Sequence, residues 1–289
     1  MAARGIASQG AKVYITGRRL SVLVAAAEAH NDALSKQGGS LVPIQVDVTD
    51  KKSLESAAQH IEKADGGLHI LVNNAGVEGV VTHFTSHDFA SGSDADRATL
   101  IAKRFWESET FDNWDATFKP NVAAVFFATM AFLPLLVRGN GKPPRAYADD
   151  VVVGSKHAWT ASIINITSIS GMVKTAQNHY SYNASKAAAN HITQMLAHEL
   201  QFSAKIGVRV NAIAPGLFAT EMTTKKSTIE SGGQSHESDL DPRIANPAGR
   251  VGLEADMAQA VLFLSTCRFT TGVVLPVDGG FVTSAASNR

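Results

Sequence analysis

Tyr182 and Lys186 stand four residues apart in the run Tyr182-Asn183-Ala184-Ser185-Lys186, fourteen residues after Ser168. Four residues is one helical turn, so the phenol and the ammonium share a face and can meet a hydroxyl carried by a preceding strand end. A free phenol titrates at about pH 10 and is a poor acid or base near neutrality. An adjacent ammonium favours the phenolate and is expected to lower that value towards the working range. Ser168 would then donate to the same substrate oxygen and fix its orientation. Tyr180 competes with Tyr182 for the role, but the residue one turn beyond Tyr180 is Ala184, which carries no charge.

Such a site needs a strand to present Ser168 and a helix to present the tyrosine–lysine pair. Short β-branched runs at 12–16, 41–46, 68–72, 162–167, 208–213 and 273–277 read as strands. Alanine-rich stretches at 20–36, 52–64, 114–137, 180–204 and 254–265 read as helices between them. This alternation predicts an α/β fold: a doubly wound parallel sheet covered by helices on both faces, in a single domain over 1–289. Two insertions, near 83–102 and 139–156, interrupt the rhythm and read as surface loops. The polar stretch 223–248 follows Pro215-Gly216, where a strand should end, and is placed to close over a ligand.

Twenty-six basic residues balance twenty-six acidic ones, so bulk charge points neither to nucleic acid nor to an anionic membrane and favours a small-molecule partner. The single Cys267 has no partner for an internal disulfide, and no paired Cys-x-x-Cys suggests zinc. His83 and His87 are spaced i to i+4 without the following glutamate of a zinc-protease helix, so no metal is expected. A reducing, cytoplasmic setting is the expectation. The apolar stretch 122–137 is only sixteen residues long and contains Thr129 and Pro134, the pattern of a buried helix rather than a bilayer span.

Asn73-Asn74-Ala75-Gly76 after a strand, Asn121, Ser168 with Tyr182 and Lys186, and Pro215-Gly216 together resemble the short-chain dehydrogenase/reductase family over nearly the whole chain. The runs Tyr14-Ile15-Thr16-Gly17-Arg18-Arg19 and Tyr180-Ser181-Tyr182 make it look most like members akin to the rhamnolipid-type 3-oxoacyl-carrier-protein reductases. The resemblance implies hydride exchange between a nicotinamide and a carbonyl or secondary alcohol, with catalytic Asn121, Ser168, Tyr182 and Lys186. It implies that Lys186 also holds the nicotinamide ribose, with Tyr182 beside it, and that Asn121 holds a water leading to solvent. Asp47 would meet the adenine amino group with Val48 beside it, and Asn73, Ala75 and Gly76 would line the adenosine side. Pro215, Gly216 and Thr220 would border the nicotinamide, with Leu217 and Phe218 lining its ring pocket. Cofactor choice is read at the end of the family's second strand, here 12–16, where Arg18 and Arg19 suit a 2′-phosphate, so NADP is favoured over NAD. The family also implies a homodimer or homotetramer.

The same family opens with a strand and a Thr-Gly-x-x-x-Gly-x-Gly turn that cradles pyrophosphate. Residues 1–9 here resemble only the later part of the first helix, closed by Gly10. A sheet lacking that central strand forgoes on the order of 10 kcal/mol of apolar burial, the scale of a whole domain's stability. The expectation is a fold with a missing strand and weakened dinucleotide binding; a catalytically silent subunit is the alternative reading.

Overall fold

The computed structural model describes residues 1–84, 88, 92–140, 159–224 and 246–285. In chain order the elements are α1 (Ala2–Ala7), β1 (Lys12–Gly17), α2 (Leu20–Ser35), β2 (Ser40–Gln45), α3 (Lys51–Asp65), β3 (Ile70–Asn73), α4 (Asp94–Ser108), α5 (Phe111–Phe118), α6 (Ala124–Gly139), β4 (Ser162–Ile166), α7 (Tyr180–His198), β5 (Arg209–Pro215), α8 (Glu221–Thr224), α9 (Glu254–Thr266), β6 (Val274–Val277) and α10 (Phe281–Ala285). All six expected strands and all five expected helices are present, within a few residues of their expected ends.

Every strand pairing is parallel. The strands fall into two sheets: β1 beside β2, and β3-β4-β5-β6. β1 and β3 are not paired with each other, and among the described residues no strand lies between them. Both sheets nevertheless share their helical covers. On one face Val13 of β1 and Ile70 and Val72 of β3 pack against one cluster built on Ile6, Ile164, Met257 and Leu264. On the other, Tyr14 and Ile44 share a cluster with Leu71, Ile61, Phe132 and Leu135. The expected absence of a central strand is therefore seen as a division in one doubly covered sheet.

The central strands β4 and β5 are buried along most of their length, as parallel strands covered on both faces must be. α5 and α6 run on through a π-turn, Lys119–Ala123, so that 111–139 is a single helical path. That path is long and apolar enough to cross a membrane by length and composition. Much of its apolar surface is used by the core: Ala124, Val125, Ala128, Phe132, Leu135 and Leu136 are all buried.

One expectation fails. Residues 83–102 were expected to form a loop, but their second half belongs to α4. Ser93 accepts from the Asp96 backbone N–H at 3.2 Å while the Asp96 carboxylate accepts from the Ser93 N–H at 2.9 Å. This reciprocal cap turns the polar Ser-Asp cluster into a helix start. His87, residues 141–156 of the second insertion and residues 225–245 of the polar stretch lie outside the described residues.

Candidate active site

The strand–helix geometry brings Ser168, Tyr182 and Lys186 together. Ser168 sits two residues beyond the end of β4, not on the strand itself. It is extended at φ −168° and caps a short turn, accepting from the Ser170 N–H at 3.1 Å. Its hydroxyl lies close enough to the Tyr182 phenol to favour the phenolate. One turn along α7, the Lys186 ammonium lies 5.7 Å from the Tyr182 ring centre and donates to the Ile166 carbonyl at 3.0 Å. Lys186 is only 4% exposed. Burial pulls its pKa down from 10.5 to about 8. Tyr180, by contrast, points to α4, where its ring packs edge-on against Phe105 at 5.0 Å.

The electrostatics of the phenol differ from the expectation. Its pKa is raised rather than lowered: burial is the largest cause, the nearby Ser168 hydroxyl acts the other way, and the Glu78 carboxylate raises it further. The ammonium lies over the ring rather than at the oxygen, and its hydrogen bond goes to a backbone carbonyl.

Asn121 lies in the π-turn between α5 and α6, a feature that often marks functional positions because it swings a side chain out of helical register. Its buried amide clamps the loop after β3. Oδ1 accepts from the Val77 N–H at 2.8 Å, and Nδ2 donates to the Val77 carbonyl at 2.9 Å and to the Ser185 hydroxyl at 3.0 Å. Gly76 precedes this clamp. A Cβ there would lie 3.0 Å from Asn121 Oδ1 and 3.4 Å from Lys186 Nζ, so glycine lets the loop close on both.

The other residues expected at the cofactor lie at or just beyond the ends of β1, β2, β3 and β5. Arg18 and Arg19 follow β1 and line a cleft of about 760 Å³ with Thr16, Gly17, Leu23 and Glu221. Arg19 pairs with Glu221 at 3.1 Å across it. Asp47, two residues past β2, is part-exposed with Val48 beside it. Its Oδ1 accepts from the Thr49 N–H and hydroxyl at 2.9 and 2.7 Å; these bonds, with Arg18 and Lys119 nearby, hold the carboxyl below its usual range. Ala75 is exposed. At the end of β5, Gly216 donates to the Val277 carbonyl at 2.9 Å, and a Cβ on it would strike Asp278 at 2.7 Å; Pro215 precedes it. Thr220 starts the α8 turn, its carbonyl accepting from the Thr223 and Thr224 N–H groups.

Two expected positions do other work. The Asn73 amide is turned inward, donating to Asn165 Oδ1 at 2.8 Å and to the Thr129 hydroxyl at 3.3 Å, which ties β3 to β4 and α6. Phe218 is buried in the core cluster against Gly252 rather than at a ring pocket. Sequence reasoning missed Glu78 and His179. His179 precedes α7, its ring 5.9 Å from that of Tyr182, and its Nε2 lies 3.8 Å from the Glu78 carboxylate. The i to i+3 spacing of His179 and Tyr182 was a signal of their shared face; nothing local pointed to Glu78.

Models of two families match the chain: short chain dehydrogenase over residues 1–143 and enoyl-(acyl carrier protein) reductase over 147–282. The chain belongs to the short-chain dehydrogenase/reductase family. The short-chain dehydrogenase/reductase PhomF of Diaporthe leptostromiformis is 34% identical over 284 residues, covering 97% of this chain and 86% of that protein. The rhamnolipids biosynthesis 3-oxoacyl-[acyl-carrier-protein] reductase of Pseudomonas aeruginosa is 31% identical over 287 residues, covering 97% and 90%. The P. aeruginosa RhlG/NADP active-site complex superposes with a TM-score of 0.68 at 28% identity, covering 97% of this chain and 90% of that one. The chain is thus a family oxidoreductase with the doubly wound fold expected from its sequence.

Proposed function

We propose that this protein is an NADP-dependent reductase that interconverts a carbonyl and a secondary alcohol. The observation that carries the reading is the placement of the Tyr182 phenol near both the Ser168 hydroxyl and the Lys186 ammonium. The donor set suits a phosphorylated dinucleotide at both ends. Lys186 is a buried ammonium whose one described acceptor is the Ile166 carbonyl, which leaves protons for ribose hydroxyls. Arg18 and Arg19 offer the planar, charged donors that a 2′-phosphate takes, and Asp47 has a second carboxylate oxygen for an adenine amine.

When bound, the reduced nicotinamide supplies the hydride to the carbonyl carbon. Ser168 orients the carbonyl oxygen by donating to it, and Tyr182 passes its proton to that oxygen as charge develops there. Lys186 holds a positive charge beside the phenol and steadies the phenolate that remains. In the oxidative direction Tyr182 takes the alcohol proton back. Asn121 keeps the 76–77 loop against Lys186 so that this geometry persists. The neighbours in sequence and structure support NADP and a ketoreductase reaction, with a 3-oxoacyl thioester as one substrate type.

Tyr182→Phe tests the reading. With NADPH and a panel of ketones it should lower kcat by roughly 10²–10⁴-fold, the usual worth of a positioned acid–base group. Activity unchanged by this substitution would refute the assignment.

Apolar side chains left at the surface, Trp106 and Phe111 near the α4–α5 junction and Phe126 and Phe127 on α6, support a homodimer or homotetramer. Light scattering after size exclusion should give a multiple of the 30.5 kDa chain mass, and a monomer would remove this part of the proposal.

A further inference from the structure

Beside the catalytic phenol, on anchored backbone, stands a pair of groups that the proton transfer does not use: Glu78 and His179. Glu78 lies between two anchored residues. Val77 has both its N–H and its carbonyl held by Asn121. Gly79 is at φ +75°, and a Cβ there would come within 2.6 Å of Thr117 Oγ1 and 3.0 Å of Ser181 Oγ. His179 is fixed from the other side. Gln177 and Asn178 before it both occupy the left-handed region, at φ 51° and 67°, a strained choice for two consecutive non-glycine residues. The strain is held by the Ser170 hydroxyl bonding Gln177 Oε1 at 2.9 Å and by the Asn178 carbonyl accepting from the Thr82 N–H at 2.8 Å.

The carboxylate so placed opposes the chemistry, because a negative charge near the phenol disfavours the phenolate. A residue that handicaps the proton transfer yet sits on anchored backbone, facing a histidine whose approach is strained, has a use in binding. A carboxylate takes hydroxyl donors strongly and repels anions. An imidazole within 3.8 Å of it offers the complementary polar edge. The His179 ring lies 5.9 Å from the ring of Tyr182 and Glu78 is paired with that imidazole; the same phenol receives the reacting oxygen, so a second hydroxyl on a neighbouring substrate carbon falls to this pair.

We propose that Glu78 and His179 form a specificity-determining pair that accepts a hydroxyl adjacent to the reacting carbon, making neutral hydroxyketones and vicinal diols the favoured substrates. This rests on the carbonyl–alcohol reading above and sharpens it. A 3-oxoacyl thioester offers a carbonyl, not a donor, to the same carboxylate.

The test compares matched pairs. With NADPH, 2-hydroxycyclohexanone should be reduced with a kcat/KM at least about ten-fold above that of cyclohexanone, the scale of one hydrogen bond to a charged group. Glu78→Leu should bring the ratio to within about two-fold, and Glu78→Gln, which keeps an oxygen acceptor, should retain part of it. The ratio cancels any change in Tyr182 reactivity common to both ketones. Binding is read separately by ligand-observed NMR, where cis-1,2-cyclohexanediol should bind more tightly than cyclohexanol in the wild type and equally in Glu78→Leu. Equal handling of both members of each pair by the wild type, or an equal loss for both in the variants, overturns the proposal. Turnover of both ketones without preference would leave the carbonyl reductase reading standing. A diol preference without turnover of any ketone would sink that reading and spare this one.

Discussion

At the scale of single residues the site is governed by the cost of burying charge. Lys186 has a pKa of about 8 in the folded chain against an ordinary lysine value of 10.5 once unfolded. Below pH 8 the ammonium is present in both states and the fold bears the full cost of its burial. As pH rises from 8 to 10.5 the folded chain sheds the proton first and that cost is relieved, so the site's contribution to stability grows with pH by on the order of 3 kcal/mol. Lys186→Met should therefore abolish turnover yet raise the urea midpoint at pH 7, with a smaller gain at about pH 10. A lowered midpoint at pH 7 would mean that the ammonium is stabilising where it sits. The cleft at Arg18 and Arg19 has its own charge contest. Glu221 occupies Arg19 across the cleft with both side chains more than half exposed, a pair of modest strength. Releasing Arg19 by Glu221→Gln should tighten NADPH about two- to five-fold, in keeping with such a pair, and leave NADH unchanged when both are titrated by fluorescence. Equal tightening of the two would show that Arg19 does not read the 2′-phosphate.

At the scale of elements, the periodic signals were legible and the long-range ones were not. Tyr182 and Lys186 could be paired from sequence because a helix repeats every turn, and β4 and β5 could be read because strands buried on both faces are runs of Ile, Val and Ala. α4 was hidden because its start, Ser93-Asp94, has the composition of a loop; only the reciprocal bond with Asp96 makes it a cap. Asn73, the Glu78–His179 pair and the Arg19–Glu221 contact depend on which elements come to lie side by side, which no local spacing encodes. Arg209 belongs with them. It lies at the start of β5, 1% exposed, and its guanidinium donates to the Leu264 and Ser265 carbonyls at 2.7 Å each, closing the C-terminal end of α9. Burial pushes its pKa down to about 10, so it still carries the charge that a helix C-terminus favours. Arg209→Met, close in length and without donors, strands the Ser265 carbonyl and leaves that of Leu264 with the Ser162 hydroxyl alone, and should cost roughly 1–3 kcal/mol in denaturant unfolding while sparing the site's geometry. A loss below about 1 kcal/mol would mean that water replaces the guanidinium.

At the scale of the whole molecule the dominant feature is the division between β1 and β3. The backbone directions can be followed from the pairings on either side. Ser40 donates to the Ala11 carbonyl and Val46 to that of Gly17, so the odd-numbered residues of β1 face β2 and the even ones, Tyr14 and Thr16, face the division. Ser162 donates to the His69 carbonyl, so Leu71 and Asn73 face β4 while Ile70 and Val72 face the division. The N–H groups of these four residues thus lack a ladder partner among the described residues, although the side chains around them lie beneath helices on both faces. Unpaired backbone in an apolar setting draws in water or opens locally, and either route speeds amide exchange. The amides of Tyr14, Thr16, Ile70 and Val72 should exchange with deuterium at least about a hundred-fold faster than those of Ile164 and Val210, whose strands are paired on both sides and fully buried. The contrast within one strand is the sharper reading: Val13 and Ile15, bonded towards β2, should be slower than Tyr14 between them. Equal protection along β1 would show that the two sheets are joined in solution. It would also remove the physical reason to expect weak dinucleotide binding, because the cleft at Arg18 and Arg19 hangs from the smaller sheet and is only as rigid as that sheet's hold on the larger one.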